Sequence, residues 1–534
     1  MNAVIIKHKN TLSVTLLLAY LFSLFFYINI KSDASKSDFV SVFLILSFLF
    51  ITLNHKKTYI ILSIFLSIVI SLELSFIIVY GSRVGRGIIA SIMDTNKNEF
   101  FLETHTIIFP FFIILISTLL ALILFKKFTK IDKKIIPSIS ILCFFIGISK
   151  IGYFYYDHFY KQNISINYES VKEAFQSSPQ IIYNMQPLVF GDAFSLGEDL
   201  VETYNFSKHV AHNKIAQGIV FNGAKNSPDK IIIIIGESSL RTHYQPYGYA
   251  INTTPNIEDI FSTPNSCSVN DVHASAPETR DAIRMSLTFS TPQDNSPYFA
   301  NKNIIEMAKS AGYKTYWISS TDEKGFYSSY VGMISSYSDF FSDRITKNGL
   351  NTSIDDISLI DGFKSIFNKK EKQMIFVHLN GSHMPYTKRY DSIDAHAITG
   401  APSAILDYDR SLHHTDRLVA SIYDFLHINS SNYVLFYSPD HGEIIGLGHG
   451  LTFGGTDQYE IPMMMKYSHG DFCHEVEKYR NKDGYINSFA EHYIFSEFMG
   501  YSVTSQVIDN YMKESPFVYH SDDNVYHYPF LPQK

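Results

Sequence analysis

The chain has 534 residues, of which 46% are hydrophobic and 15% aromatic, and its formal net charge is −7. That length exceeds what one ordinary hydrophobic core serves, so we expect a membrane part and one large globular part. A mild net charge without an extended basic stripe argues against nucleic acid as a partner.

Five apolar stretches at the start of the chain predict transmembrane helices, since a span needs roughly 20 mostly apolar residues. The stretches cover residues 11–30, 38–53, 58–80, 106–125 and 135–153. The first also fits a cleaved signal peptide, because Lys7 and Lys9 precede its apolar core, but four later spans favour an uncleaved anchor. We therefore predict a five-span α-helical bundle over residues 1–153.

The basic residues of the predicted loops indicate how this bundle is oriented. Nine Lys residues fall on the side of the N-terminus, and five Lys or Arg residues fall on the other side. Loops rich in Lys and Arg stay in the cytoplasm, so we predict a cytoplasmic N-terminus. An odd number of spans then places the rest of the chain outside the cytoplasmic membrane. Residues 154–225 begin with a Tyr-rich belt and are predicted to form a connector with interfacial helices.

From residue 226 onward, short apolar runs alternate with helical patterns. This alternation predicts an α/β domain with a central, mostly parallel sheet over residues 226–534. The candidate strands are residues 230–235, 315–318, 374–379 and 433–437. Ligands of such sheets bind beyond the carboxyl ends of the strands, and here those ends carry acidic and His residues.

Two of these strand ends predict a metal site. Glu237 directly follows IIIIIG, and Asp440 and His441 directly follow VLFYSP. A single loop residue of this kind commonly only caps a neighbouring helix, whereas two such ends favour a shared site. Carboxylate and imidazole ligands suit Zn²⁺ or Mn²⁺, and the imidazole favours zinc.

Thr279, in the segment SAPETRDAIRMSLTF, is the candidate nucleophile. The helical spacing of Ile283 and Leu287 places Thr279 at or near a helix N-terminus, where exposed amides favour phosphate. Metal coordination is one way to activate such a hydroxyl at neutral pH. A Thr in this position is by itself more often only an N-cap residue, so its assignment depends on the neighbouring carboxylates.

Further groups at or just beyond the strand ends predict a phosphate pocket and allow a second metal. They are His378, His383, His449 and Lys324. Each of them alone would be an ordinary structural or solvated residue. Their shared position favours a common role, and His383 and His449 are the stronger candidates.

This ordered set of motifs resembles the phosphoethanolamine transferases of Gram-negative inner membranes, in the alkaline phosphatase and sulfatase superfamily. The resemblance covers nearly the whole chain: five N-terminal spans, GESxxR, Thr279, HLNGSH, and DHGE followed by HG. It implies that Glu237, Thr279, Asp440 and His441 are zinc ligands and that Thr279 becomes phosphoethanolaminated. The other four groups resemble substrate-phosphate and second-metal positions of that family.

Other segments refine the resemblance. DTNKNE resembles the family's segment that meets the lipid head group, with Glu99 as the matching carboxylate, although Ser91 stands where relatives often have Asn. SAPETRDAIRMSLTF and GYKTYWISS look closer to enzymes that modify the lipopolysaccharide core than to those that modify lipid A. The lipid A enzymes also tend to hold several disulfides, whereas only Cys267 and Cys473 are available here. A disulfide between them and two free thiols are both open.

The resemblance implies a zinc-dependent enzyme with a periplasmic catalytic domain. Its expected reaction transfers phosphoethanolamine from phosphatidylethanolamine to lipopolysaccharide, at the core or at lipid A, so membrane lipids are expected partners. One tight zinc site is expected, and a second metal in turnover stays open.

Three other functions are alternatives to this reaction. A phosphoglycerol transferase acting on periplasmic glucan or another envelope glycopolymer is disfavoured by HLNGSH and DHGE. A sulfatase is disfavoured because SAPETR has Thr279 where the CxPxR or SxPxR motif needs Arg. A receptor or assembly factor with a dead pocket is disfavoured by the intact Glu237, Asp440 and His441.

Overall fold

A computed structural model of the chain describes residues 2–31, 41–80, 97–155, 212, 214–223, 227–321, 330–342, 355–522 and 524–532. The chain divides into two compact units. One comprises residues 1–90 and 104–201, and the other comprises residues 91–103 and 202–534. Each unit is described by itself below.

Five helices of the first unit coincide with the five predicted apolar stretches. They are α1 (Asn2–Lys31), α2 (Ser41–Thr52), α3 (Lys56–Tyr80), α4 (Lys97–Phe128) and α5 (Ile136–Tyr155). Two segments, Lys56–Val79 and Ile107–Phe128, are long and apolar enough to cross a membrane. The other described apolar segments are shorter: Leu12–Leu24, Val42–Thr52 and Ile136–Ser149. The helices are thus confirmed, while the count of five membrane crossings stays a prediction.

Small residues let α2 and α5 pack closely. Gly147 lies so near Leu44 that a Cβ atom on Gly147 would come within 2.4 Å of the Leu44 side chain. Ser47 and Ser140 each donate a hydroxyl hydrogen bond to the other's carbonyl, at 2.9 and 2.7 Å. Helices in an apolar solvent associate through such close contacts and hydrogen bonds, because burial of Leu or Ile against Leu or Ile offers no hydrophobic gain there.

The second unit is built on a seven-stranded sheet with the strand order β3-β9-β8-β2-β7-β5-β6. Strands β8, β2, β7, β5 and β6 run parallel, and β9 is antiparallel to both β8 and β3. The described strands are β1 (Ile219–Phe221), β2 (Lys230–Gly236), β3 (Ser266–Val269), β4 (Val272–His273), β5 (Lys314–Ser319), β6 (Phe340–Ser342), β7 (Gln373–His378), β8 (Tyr433–Pro439), β9 (Met463–Tyr467), β10 (Ile486–Asn487), β11 (Tyr501–Val503), β12 (Phe517–Tyr519) and β13 (Val525–His527). The mostly parallel sheet is therefore confirmed.

The run of isoleucines in β2 explains why both faces of this sheet are covered. Ile231, Ile233 and Ile235 belong to one buried hydrophobic cluster, and Ile232 and Ile234 belong to another. Side chains alternate between the two faces of a strand, so a strand that is apolar at every position needs helices on both sides.

Helices flank the sheet on both faces. The described helices of this unit are α6 (Pro255–Phe261), α7 (Thr279–Leu287), α8 (Ser296–Ala300), α9 (Ile304–Ser310), α10 (Tyr330–Ser336), α11 (Leu359–Ile366), α12 (Ser392–Ala397), α13 (Ala404–Asn429), α14 (Phe472–Glu477), α15 (Glu491–Phe498) and α16 (Ser505–Glu514). Residues of α7, α9 and α15 pack in the cluster with Ile233, whereas residues of α6, α11 and α13 pack with Ile232. The site described next therefore sits on a rigid three-layer scaffold.

Each of the four predicted strands corresponds to an observed strand within one or two residues. The antiparallel edge formed by β3 and β9 was not predicted. Cys267 in β3 and Cys473 in α14 form a disulfide, with their Cα atoms 6.0 Å apart, which closes the alternative of two free thiols. Cys143 is free and buried. Most of the predicted connector lies outside the described residues, but its Ile219–Phe221 segment pairs with β11.

Candidate metal centre and active site

The sheet register brings Glu237 and Asp440 to the same edge. Strands β2 and β8 are parallel neighbours, with Gly236 opposite Pro439, so each carboxylate directly follows a paired position. Both residues are buried. His441 follows Asp440, and its Nε2 atom lies 3.4 Å from Glu237 Oε1 and 3.4 Å from Asp440 Oδ2. The two predicted strand ends thus form one cluster.

Thr279 completes this cluster from the first residue of α7, as its predicted place at a helix N-terminus required. Its hydroxyl donates to Glu237 Oε2 at 3.0 Å and lies 3.2 Å from His441 Nε2. The backbone before the helix is extended at Glu278. The hydroxyl therefore lies where two carboxylates and an imidazole converge.

Three imidazoles at the site have the same arrangement, in which Nδ1 contacts a protein oxygen. His441 Nδ1 donates to the Gly442 carbonyl at 2.8 Å, and His383 Nδ1 donates to the Met384 carbonyl at 2.7 Å. His449 Nδ1 lies 2.9 Å from a Glu443 carboxylate oxygen. Because carbonyls and carboxylates accept hydrogen bonds, each Nδ1 carries the proton and each Nε2 keeps its lone pair. Metal-binding histidines are oriented in this manner by their second nitrogen.

The pKa values of the Glu237 and Asp440 carboxyl groups are shifted in opposite directions. Burial, together with the nearby Asp440 charge, raises the pKa of Glu237 well above its ordinary value. Burial also opposes ionisation of Asp440, but the neighbouring His441 and hydrogen bonds from Glu237 and Thr279 hold the pKa of Asp440 below its ordinary value. The two carboxylates compete for negative charge in a buried place. A cation at their meeting point relieves that competition.

Ser238 links Glu237 to the rest of the site and was missed by the sequence analysis, although it lies inside the motif GESS. Its hydroxyl donates to Glu237 Oε1 at 2.8 Å and lies 3.2 Å from His449 Nδ1. Its amide lies 3.3 Å from Asp440 Oδ1. Ser238 has a φ of 53°, in the left-handed region that non-glycine residues rarely adopt. Such strain persists at functional sites where the surroundings enforce it.

Glu443 and Tyr386 form a second missed pair. Glu443 is buried, faces His449 Nδ1 with one oxygen, and accepts the Tyr386 hydroxyl at 2.7 Å with the other. Burial raises the pKa of Glu443 to about 7. Burial and the neighbouring His441 and His383 hold the pKa of His449 well below its ordinary value. The quoted motif DHGE contained Glu443, but only the fold shows that its side chain reaches His449.

The HLNGSH loop lies against Glu237. Gly381 has a φ of 48°, and a Cβ atom there would come within 2.7 Å of the Glu237 carbonyl oxygen, so this position requires glycine. Asp356 accepts hydrogen bonds from the amides of Asn380 and Gly381, at 3.0 and 2.9 Å. These contacts fix the loop that carries His383, whose ring centroid lies 5.2 Å from that of His449.

The remaining predicted site residues have different outcomes. His378 ends β7 beside Ile235, is buried, and has its Nδ1 atom 3.4 Å from Thr321 Oγ1. Lys324 and the side chain of Glu99 lie outside the described residues. Their predicted roles therefore stay predictions.

The donor set fits zinc. Glu237, His441 and His449 each offer a ligand atom within 4.8 Å of the others. Thr279 and Asp440 add two oxygens in contact with His441 or Glu237. Zinc binds imidazole nitrogen and carboxylate oxygen, and a catalytic site keeps one position open for substrate.

The site therefore combines a mostly parallel sheet, strand-end carboxylates and a helix-initial hydroxyl. The sulfatase family model matches residues 229–501, about half of the chain. The chain belongs to the sulfatase family.

Curated relatives within this family share a common description. Phosphoethanolamine transferase EptC of Escherichia coli K12 is 27% identical over 321 residues, which is 54% of this chain and 55% of that protein. Kdo(2)-lipid A phosphoethanolamine 7''-transferase of Salmonella typhimurium is 25% identical over 253 residues, 44% of each chain. The chain thus matches about half the length of these relatives. They fit the phosphoethanolamine transferase resemblance seen in the motifs.

Solved structures show the same fold. The zinc complex of the C-terminal periplasmic domain of EptC from Escherichia coli has a TM-score of 0.51 and 23% identity, over 60% of this chain and 98% of that one. The integral membrane lipooligosaccharide phosphoethanolamine transferase A from Neisseria meningitidis has a TM-score of 0.65 and 14% identity, over 90% and 92%. Both likenesses are of fold alone, and the second extends over the N-terminal helices.

Proposed function

We propose that this protein transfers phosphoethanolamine from phosphatidylethanolamine to lipopolysaccharide through an ester on Thr279. The observation that carries the proposal is the position of the Thr279 hydroxyl, 3.0 Å from Glu237 Oε2 and 3.2 Å from His441 Nε2. A hydroxyl in that position is close to groups that can hold a metal and to groups that can take its proton. Several curated relatives are named phosphoethanolamine transferases, and we infer the identity of the transferred group from them.

Zinc would be held by Glu237, Thr279, Asp440 and His441. Bound there, it would lower the pKa of the hydroxyl and polarise a phosphoryl oxygen. His449 is close enough to these residues to serve a second metal or the substrate phosphate. We assign His383, Lys324 and His378 to the same phosphate pocket.

The first half of the reaction forms a covalent enzyme. Thr279 Oγ1 forms a bond to phosphorus, and the bond between phosphorus and the diacylglycerol oxygen breaks. The hydroxyl proton, which is donated to Glu237 in this structure, ends on the released diacylglycerol. His383 and His449, whose Nδ1 atoms contact protein oxygens, orient the phosphoryl oxygens through their fixed rings.

The second half regenerates Thr279. A hydroxyl or phosphate oxygen of the acceptor forms a bond to the same phosphorus, and the bond to Thr279 Oγ1 breaks. The acceptor's proton returns to the Thr279 oxygen. We propose the lipopolysaccharide core as the acceptor, with lipid A as the alternative within lipopolysaccharide.

The lipid nature of donor and acceptor explains why the chain carries apolar helices. We propose that all five helices of the first unit cross the bacterial inner membrane, with the N-terminus in the cytoplasm and the catalytic domain in the periplasm. Glu99, in the first turn of α4, would then meet the lipid head group. The two long apolar segments support this placement, and the basic loop residues support the orientation.

Peptide mass spectrometry of the full-length protein tests the proposal. After incubation with phosphatidylethanolamine and zinc, we expect a phosphoethanolamine adduct on Thr279 and an equal amount of diacylglycerol. Adding lipopolysaccharide should remove the adduct and place it on a lipopolysaccharide fragment. Thr291→Ala, which alters a Thr outside the site, should form the adduct normally.

Two outcomes would overturn the proposal. An adduct on another residue would reject Thr279 as the nucleophile. A faster reaction with phosphatidylglycerol would favour the phosphoglycerol transferase alternative instead.

A further inference from the structure

Side-chain hydrogen bonds at two places link α1 to α4 and to Thr129, the residue that follows α4. Ser13 Oγ and Thr129 Oγ1 are 2.8 Å apart at one end of the contact. The Tyr20 hydroxyl lies 2.9 and 2.8 Å from the hydroxyls of Ser117 and Thr118 at the other end. Seven residues of helix separate Ser13 from Tyr20, which corresponds to roughly 10 Å along α1.

A cavity of about 370 Å³ lies between α1 and α4 within this interval. Its lining residues are Leu12, Ser13, Leu16, Leu17, Tyr20, Ala121, Leu124, Phe125 and Phe128. Leu17 and Phe125 are buried and form its floor, whereas Leu16 and Phe128 are exposed at its rim. Ala121, the smallest of these side chains, leaves the space open.

The walls of this groove suit a hydrocarbon chain. Apart from the hydroxyls of Ser13 and Tyr20, which already bond to α4, the lining side chains are apolar. In a membrane, however, an acyl chain gains little by exchanging lipid neighbours for Leu and Phe. Selective binding therefore requires a second contact, made by the head group.

A cation stands at one end of the groove. Lys127 is exposed, and its Nζ atom lies 5.6 Å from the ring centroid of Phe128, a rim residue. The adjacent Lys126 contacts other residues. Its Nζ atom donates to the Leu53 carbonyl at 3.1 Å and lies over the Tyr59 ring. Lys133 and Lys134 are exposed in the loop that follows α4. Among the described residues no carboxylate pairs with Lys127, so this end of the groove carries positive charge.

We propose that the groove between α1 and α4 is a binding site for one diacyl phospholipid with an anionic head group. One acyl chain lies between the two hydrogen-bonded ends, and the phosphate contacts Lys127. Anionic lipids are drawn to clustered lysines at a membrane surface, and a groove gives that attraction a defined position. The proposal rests on the membrane placement of the first unit but not on the reaction at Thr279.

Native mass spectrometry of the full-length protein in detergent tests this site without any turnover. The probes are phosphatidylglycerol and phosphatidylcholine with the same acyl chains, because they differ in head-group charge. We expect one phosphatidylglycerol to bind, with an affinity about fivefold or more above that of phosphatidylcholine. Lys127→Gln should lower the phosphatidylglycerol affinity about fivefold and leave phosphatidylcholine binding unchanged. Ala121→Phe, which fills the groove, should abolish the preference.

Matched controls separate this site from general lipid contact. Lys57→Gln removes another exposed lysine, and Ile116→Phe enlarges an exposed residue of α4 that does not line the groove. Both controls should bind phosphatidylglycerol as the unaltered protein does. Equal binding of the two lipids, or an equal loss in Lys127→Gln and Lys57→Gln, would overturn the proposal. Lys127 is a surface residue, so its variant keeps the test valid even where Ala121→Phe fails to fold.

Discussion

The second unit contains two clusters of carboxylate and imidazole side chains. They differ in whether cationic side chains pair with the carboxylates. One is the strand-end cluster of Glu237, Thr279, Asp440 and His441. The other, the helix cluster, joins α12 to α13 and comprises Asp355, Asp391, Asp394, His413, His414 and Arg417. Among the described residues, Glu237 and His441 with the adjacent His449 have ligand atoms close enough to hold a metal, and so do Asp391, Asp394 and His414 of the helix cluster.

In the helix cluster, basic side chains surround the buried carboxylate of Asp394. Asp394 is buried and lies 2.7 Å from His413 Nδ1, 2.6 Å from His414 Nδ1 and 3.0 Å from an Arg417 nitrogen. The second nitrogen of His414 lies 2.7 Å from Asp355. Burial opposes protonation of His414, but the bonds to Asp355 and Asp394 raise its pKa to about 10.

The strand-end cluster lacks such internal compensation among its described members. Its imidazole turns a lone pair, not a proton, toward two carboxylates, because His441 Nδ1 donates to Gly442. Proximity of acidic and His side chains therefore does not by itself define a metal site. What distinguishes the strand-end cluster is an arrangement of acceptors around a common point.

The largest effect is expected at Thr279. Thr279→Ala removes the only atom proposed to form the covalent intermediate, so transfer should fall by about 10⁴-fold or more. Thr279→Ser keeps a hydroxyl and should retain measurable activity. Release of diacylglycerol from phosphatidylethanolamine is the measurement. Near-normal release by Thr279→Ala would show that the strand-end cluster does not act through this hydroxyl.

In the helix cluster, the expected effect is on stability. His414→Asn leaves the buried Asp394 without one of its cationic partners and should lower the free energy of unfolding by about 3 kcal/mol, while zinc content stays unchanged. His396→Asn, an exposed His of α12, is the control and should change little. Denaturant unfolding of both variants measures the difference. Loss of zinc from His414→Asn would contradict the assignment of this cluster to stability.

The effect of His414→Asn should depend on pH. The folded-state pKa of His414 is raised to about 10, so its stabilisation is full below the unfolded value of about 6.5 and is lost as pH rises toward 10. Burial opposes ionisation of Asp394, but hydrogen bonds from His413 and His414 lower its pKa, so its stabilisation is lost in acid. The difference between the unaltered protein and His414→Asn should therefore be largest between about pH 4 and pH 6.5. A constant difference up to pH 11 would reject the ion-pair explanation.

A smaller effect is expected from Glu443. Glu443→Gln keeps the shape but weakens the acceptor for His449 Nδ1, so kcat should fall by about tenfold or somewhat more, as for other groups that orient a ligand. Tyr386→Phe removes only the hydrogen bond to the other Glu443 oxygen and should cost less. Steady-state kinetics check both variants. A larger loss in Tyr386→Phe than in Glu443→Gln would contradict this order.

The sequence predicted the strand-end cluster because its signal is local. Glu237 and Asp440 each directly follow an apolar strand, and parallel neighbours bring their carboxyl ends together. Helical spacing predicted only that Thr279 begins a helix, and its place among the zinc ligands was an implication of the family resemblance. The strand-end carboxylates needed only the chain direction and the strand assignment.

Other features depended on side-chain direction or long-range pairing. Ser238 and Glu443 lay within quoted motifs, but their contacts with His449 follow from the turns that end β2 and β8. The Cys267–Cys473 pair joins positions 206 residues apart, so spacing could not decide it. The short strand β3 was missed because four residues show little periodicity.

Zinc binding tests the central distinction between the two clusters most directly. Metal-free, full-length protein is titrated with zinc by calorimetry and compared with Asp440→Asn and His414→Asn. We expect one tight site in the unaltered protein and in His414→Asn, and an affinity at least about 100-fold lower in Asp440→Asn. Tight binding that survives Asp440→Asn but is lost in His414→Asn would contradict the account.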